Sequence, residues 1–100
     1  MTTVGWTEKE LSQHIVNTAR DLGWLVYRTW RSLHSPAGFP DLCMAKEKRL
    51  IFAELKSSKR KLTPTQEQWL EALKETGVEA YVWRPADYDE AVTILARGMR

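Results

Sequence analysis

One hundred residues with 43% hydrophobic content, and with 15 Lys and Arg against 13 Asp and Glu, describe a single domain over residues 1–100 with one modest core. No apolar run approaches the length of a membrane span, and no basic segment followed by an apolar stretch opens the chain, so neither a membrane span nor a secretory signal is expected. Cys43 has no second cysteine to pair with, which suits a reducing cytoplasm and makes it most simply a small buried hydrophobe.

Thr7 followed three residues later by Glu10 forms a capping box, and Leu11, Ile15, Ala19 and Leu22 then recur at helical spacing. A helix from about Glu8 to Leu22 is predicted, ended by Gly23. Trp24 to Trp30 reads as a strand, and Arg31 to Pro40, with Ser35-Pro36-Ala37-Gly38, as a loop. Two apolar-rich runs, Leu42–Lys46 and Arg49–Ala53, flank Glu47-Lys48, which predicts a hairpin with a two-residue turn. Both of its faces carry apolar residues, so the sheet is expected to be covered on both sides.

Ser57 to Leu62 is a basic connection. Thr63-Pro64-Thr65-Gln66 joins a capping threonine, proline at the first helical position and glutamine at the third, opening a helix to about Thr76 that buries Trp69, Leu70 and Leu73. Val78 to Trp83 is a short strand stopped by Arg84-Pro85. Asp87, with Glu90 as capping partner, starts a last helix whose apolar stripe is Ala91, Ile94 and Leu95. The order αβββαβα predicts an α/β protein, a mixed central sheet flanked by helices.

In a hairpin with that turn, opposed residue numbers sum to 95, so Asp41 falls opposite Glu54 on one face, and Lys56 shares it. Opposed carboxylates destabilise a sheet unless something offsets them, and a divalent cation is the obvious candidate. Hard cations such as Mg²⁺ take oxygen ligands, which Asp41, Glu54 and the backbone carbonyl of Leu55 could supply. Lys56 could orient or deprotonate a water, or stabilise transition-state charge. An ordinary hairpin with a surface salt bridge from Lys56 to a carboxylate fits the same residues. His14 and His34 lack partners at ligand spacing and no Gly-rich phosphate loop appears, so zinc and nucleotide cofactors are not expected.

The charge is uneven: residues 28–61 carry a net +6 and the remainder −4. A basic middle around an acidic pair suits a polyanionic substrate such as DNA, although a solvated loop also carries such charges. Lys59, Arg60 and Lys61 lie just beyond Lys56 and could contact phosphates, as could Arg28 and Arg31 near the loop, with His34. Trp30 could stack on an unpaired base or pack at the loop base.

Gly38-Phe39-Pro40-Asp41, followed by Phe52-Ala53-Glu54-Leu55-Lys56, resembles the signature of the PD-(D/E)xK nuclease superfamily, and most closely its VRR-NUC (virus-type replication-repair nuclease) family. Ser35-Pro36-Ala37-Gly38, Leu62 to Leu70, Gly77 and Val82-Trp83-Arg84-Pro85 extend the resemblance over roughly residues 7 to 90. It implies a restriction-endonuclease-like αβββαβ core and a Mg²⁺- or Mn²⁺-dependent endonuclease acting on DNA, plausibly branched as in a four-way junction. Asp41 and Glu54 would be metal ligands and Lys56 catalytic. Glu10 would be an outer carboxylate at the metal site, with Glu8 one helical face away as its rival, and Gln68 would face the site from the following helix. The resemblance to Holliday junction resolvases also implies a homodimer, in the cytoplasm of a bacterial or phage-infected host cell. The rival classes are a DNA-binding module that keeps the fold without cleaving and a protein-interaction domain, for which the sequence offers no exposed apolar stripe beyond the last helix.

Overall fold

The computed structural model describes residues 5–29 and 36–97. The elements in order are α1 (Glu8–Asp21), β1 (Leu25–Arg28), β2 (Leu42–Lys46), β3 (Arg49–Leu55), α2 (Pro64–Glu75), β4 (Glu79–Trp83) and α3 (Tyr88–Ala96), with a 3₁₀ turn at Pro85–Asp87 before α3. The strands form one sheet in the order β1-β2-β3-β4. The first three run antiparallel and β4 lies parallel to β3, reached through α2, so the protein has the expected α/β architecture with a mixed sheet.

The β2–β3 register runs from Lys46 opposite Arg49 to Leu42 opposite Ala53. Every pair sums to 95, because Glu47 and Lys48 do form a two-residue turn with both φ values positive, 43° and 71°. Side chains in that conformation strain the backbone, which is why Glu-Lys is an unusual turn sequence.

Thr7 caps α1 and Glu10 closes the box onto the Thr7 amide. The helix buries Leu11, Ile15, Val16 and Ala19, each larger side chain contributing about 1.5–3 kcal/mol of transfer free energy. That stripe packs, with Ala91, Ile94 and Leu95 of α3, on the sheet face carrying Leu42, Met44, Ile51, Ala53 and Leu55. Buried Trp24 ties the start of β1 to α3 by donating its indole N–H to the Leu95 carbonyl at 2.9 Å.

The opposite face is covered only in part. Phe39 packs edge-on against Phe52 and against Trp69 of α2, with centroid separations of 5.8 and 4.9 Å. Of the three residues expected to be buried on α2 only Leu70 is; Trp69 and Leu73 are half-buried. Beyond them the face is bare toward β1 and the hairpin turn: Leu25 is 78% exposed, Tyr27 61% and Leu50, on β3, 37%. The expected two-sided cover fails because α2 lies over the β3–β4 end, and β1 is four residues long where seven were predicted. An exposed apolar area therefore exists on the sheet, where the sequence showed none.

Asp87 does not cap α3 with its side chain. Pro85 starts the 3₁₀ turn earlier, and the Asp87 carboxylate reaches back to accept the Arg84 N–H at 2.9 Å.

Candidate active site

The β2–β3 ladder ends at the Leu42–Ala53 pair, and Asp41 is the residue just beyond it. Next along β3, Lys56 donates its amide to the Trp83 carbonyl on the β4 side at 3.1 Å. Strand alternation therefore turns the Leu55 N–H the other way, toward β2, where the ladder has run out. Asp41 fills that gap: its Oδ2 accepts the Leu55 N–H at 2.9 Å. The carboxylate thus satisfies a backbone donor that would otherwise lack a ladder partner. In an extended strand the Leu55 C=O points to the same side as its N–H, toward Asp41. The Asp41 backbone is held as well, its carbonyl accepting the Thr29 N–H at 2.8 Å while the Thr29 hydroxyl donates to the Pro40 carbonyl at 2.6 Å.

Glu54 and Lys56 lie on the α2 face of β3 and are each 2% exposed. Burying charged groups this deeply is costly, and it requires compensating polar contacts. Gln66 supplies one, donating its Nε2 to Glu54 Oε2 at 3.0 Å. The other oxygen, Glu54 Oε1, is enclosed and takes no hydrogen bond from a described residue. The same Gln66 side chain accepts the Thr63 N–H on its Oε1 at 2.9 Å, completing the α2 capping box. One glutamine thus caps the start of the helix and holds the carboxylate.

Gly38 fixes where that helix begins. Its φ is +88°, and a Cβ there would meet the Thr65 carbonyl carbon at 2.5 Å and the Gln66 nitrogen at 2.8 Å, both backbone atoms that cannot give way. The loop leading into Asp41 therefore packs directly on the first turn of α2.

On the other side of Asp41, a cavity of about 410 Å³ is lined by Glu8, Lys9, Ser12, Arg28, Thr29, Asp41, Leu42 and Leu55. Glu8 is the helix carboxylate there. Its Oε2 accepts the Ser57 N–H at 3.3 Å and pairs with Arg60 Nη1 at 3.1 Å. Glu10, the helix carboxylate expected at the site, is instead exposed and spent on the Thr7 cap. The geometry of a capping box dictates this, because the third residue must fold back along the helix start. Gln68 is likewise exposed on α2, and Gln66 stands on Glu54 in its place. The sequence signal for Gln66 was visible as a cap; that its amide also faces the end of β3 depends on the Gly38 contact.

Arg28 lines the cavity, while Lys59, Arg60 and Lys61 are exposed on the connection after β3. Arg31, Trp30 and His34 lie outside the described residues. Burial raises the Cys43 thiol above its ordinary pKa, which disfavours the thiolate a nucleophile needs. Among the described residues, no three His, Cys, Asp or Glu side chains gather into a metal cage of their own.

A four-stranded mixed sheet with an acid before the hairpin's first strand and a Glu-Leu-Lys at the end of its second defines a nuclease fold of the PD-(D/E)xK class. The family model described as VRR-NUC domain matches residues 1–87, and the chain belongs to that family. Among solved structures it is similar to a VRR-NUC domain at 20% identity and TM-score 0.73, over 93% of this chain and 99% of that one. It is also similar to a VRR-NUC domain protein at 22% identity and TM-score 0.68, over 90% and 87%. Hjc of Archaeoglobus fulgidus, a Holliday junction resolvase from an archaeal hyperthermophile, is similar at 20% identity and TM-score 0.59, over 76% of this chain and 66% of its own. No curated protein matches the sequence.

Proposed function

We propose that the protein is a divalent-metal-dependent endonuclease that hydrolyses DNA phosphodiesters, with branched DNA such as a four-way junction as its substrate. The observation that carries this reading is the end of the β2–β3 hairpin, where Asp41 is bonded to the Leu55 amide beside buried Glu54 and Lys56.

The donor set suits a hard cation. Asp41, Glu54 and the Leu55 carbonyl offer oxygen only, and so few protein ligands fit Mg²⁺ or Mn²⁺, which keep several waters in such sites. When bound there, the ion supplies Lewis-acid activation of water and neutralises charge on the phosphate. Lys56 orients that water or stabilises the charge that builds on the phosphate, and its burial strengthens either effect by excluding solvent. Gln66 holds Glu54 through its side-chain amide. Glu8, facing the same cavity as Asp41, serves as the outer carboxylate. Arg28, Lys59, Arg60 and Lys61 bind backbone phosphates on either side. Likeness in fold to the Archaeoglobus fulgidus resolvase supports a branched substrate, and a homodimer would present one site to each of two opposed strands.

The test incubates the protein with four-way junction, flap, duplex and single-stranded DNA, with Mg²⁺, Mn²⁺ or EDTA, beside Asp41→Ala and Lys56→Ala. Metal-dependent nicking, strongest on the junction and lost in both variants while DNA binding persists, is the expected result. Undiminished cleavage by Asp41→Ala would sink the reading, and binding without any nicking would identify a non-cleaving DNA-binding module. Light scattering coupled to size-exclusion chromatography reads the dimer directly.

A further inference from the structure

Arg84 is the first residue after β4, and among the described residues its guanidinium forms no ion pair. Its Nη1 instead donates to two backbone carbonyls, Ser57 at 2.7 Å and Arg60 at 2.6 Å. Both belong to the connection that leaves the active-site strand. That connection has no regular secondary structure, and Ser58 to Lys61 are exposed. It is held from two directions. From β4, Trp83 takes the Lys56 N–H and Arg84 takes the next carbonyls; from α1, Glu8 accepts the Ser57 N–H and pairs with the Arg60 side chain. Ser57, directly after Lys56, thus has its N–H tied to one element and its C=O to another.

We propose that Arg84 is a positioning residue for DNA binding: its guanidinium clamps the Ser57 and Arg60 carbonyls and so sets the path on which Lys59, Arg60 and Lys61 meet phosphates. The proposal rests on the nuclease reading for its ligand, and on the described hydrogen bonds for its geometry. The chemistry suits the task. A guanidinium is a rigid, permanently charged fork, so one side chain can grip two carbonyls at fixed separation. With the clamp removed, both carbonyls can turn to water at this exposed site, so the fold survives while the segment loses its single path.

Two measurements decide it. In the DNA-free protein, amide exchange across Ser57 to Lys61 is expected to quicken about tenfold in Arg84→Met, the loss of roughly one net hydrogen bond, with the amides of β2 unchanged. Arg84→Lys, which keeps a cationic donor, recovers most of the protection. Unaltered exchange in Arg84→Met overturns the clamp. With a labelled four-way junction, Arg84→Met is expected to weaken binding about tenfold and to lower the salt dependence by roughly two contacts or more, although only one charge is gone. In the Lys59→Ala/Arg60→Ala/Lys61→Ala background the same change should add less than about twofold, since coupled residues are not additive. A full additional loss there, or a salt slope reduced by about one, would make Arg84 a direct phosphate contact and overturn the proposal. If the unaltered protein binds no DNA, the nuclease reading falls, and the exchange measurement still decides the clamp.

Discussion

The two ends of β3 both carry ionisable groups and handle them in opposite ways. At the start, Arg49 meets Glu79 in two hydrogen bonds of 2.8 Å, Tyr81 adds a third to Glu79, and the guanidinium lies 5.0 Å above the Trp24 ring. Water still reaches both partners, whose side chains are 25% and 26% exposed. At the far end Glu54 and Lys56 are shut away from water, and Glu54 accepts a hydrogen bond from the neutral amide of Gln66. A pair that exists for stability is matched charge to charge and left near solvent. Charges buried this deeply are held at a cost in desolvation, and groups so placed are candidates for chemistry rather than for stability.

Removing the charges should therefore separate activity from stability. Glu54→Gln and Lys56→Met are each expected to lower cleavage on the order of 10³-fold or more at saturating metal, with DNA affinity nearly kept. Their melting temperatures should stay level or rise, because an isosteric neutral side chain no longer has to be desolvated as a charge. A variant that loses activity only in proportion to lost stability would reduce this end of β3 to the same structural role as the other.

An intermediate effect is expected at Gln66, which serves both the helix cap and Glu54. Gln66→Ala should cost about 1 kcal/mol of stability and about 10- to 100-fold in cleavage, as other supporting shells do. Thr63→Ala removes the cap alone, so denaturant melts should show a similar loss of stability with activity within about threefold. Equal losses of activity in the two variants would assign Gln66 to the helix alone.

The Arg49 end should respond in the reverse sense. Glu79→Gln is expected to destabilise by about 1 kcal/mol, as for a pair still within reach of water, and to leave cleavage unchanged. The Arg49 hydrogen bonds hold the Glu79 carboxyl below its ordinary pKa, against the opposing effect of burial. A carboxyl lowered on folding adds stability above its unfolded pKa, and that contribution is lost as pH falls through the folded value. Acid titrations of stability should thus show a shallower decline in Glu79→Gln than in the parent.

The fold was legible in the sequence because its signals are local: Thr7 to Glu10, Thr63 to Gln66 and the Glu47-Lys48 turn each specify an element from within four residues. The turn even fixed the register that brings Asp41 to the end of β3, and the resemblance of the hairpin motif identified the family. What stayed hidden was non-local. Whether Glu8 or Glu10 faces the cavity depends on the rotation of α1 over the sheet, and the Gln66 contact depends on Gly38 packing against α2. The bare area around Leu25 and Tyr27 arises because α2 covers only the β3–β4 end of its face, which no periodicity encodes.

The smallest effects are expected where the sequence pointed and the structure does not. Glu10 and Gln68 are both exposed, and the bond shown for the Glu10 carboxylate goes to Thr7. Glu10→Gln keeps an acceptor for the Thr7 amide, so stability should move by a few tenths of a kcal/mol at most and cleavage by less than about twofold. Gln68→Ala should be as quiet. Glu8→Gln is the contrast within the same helical turn, because it weakens the grip on Ser57 and Arg60 and changes the charge facing Asp41 across the cavity. A cleavage loss of about tenfold or more is expected there. Comparing the three under one metal titration decides which helix carboxylate serves the site: a large loss in Glu10→Gln with none in Glu8→Gln would require α1 to rotate when DNA binds.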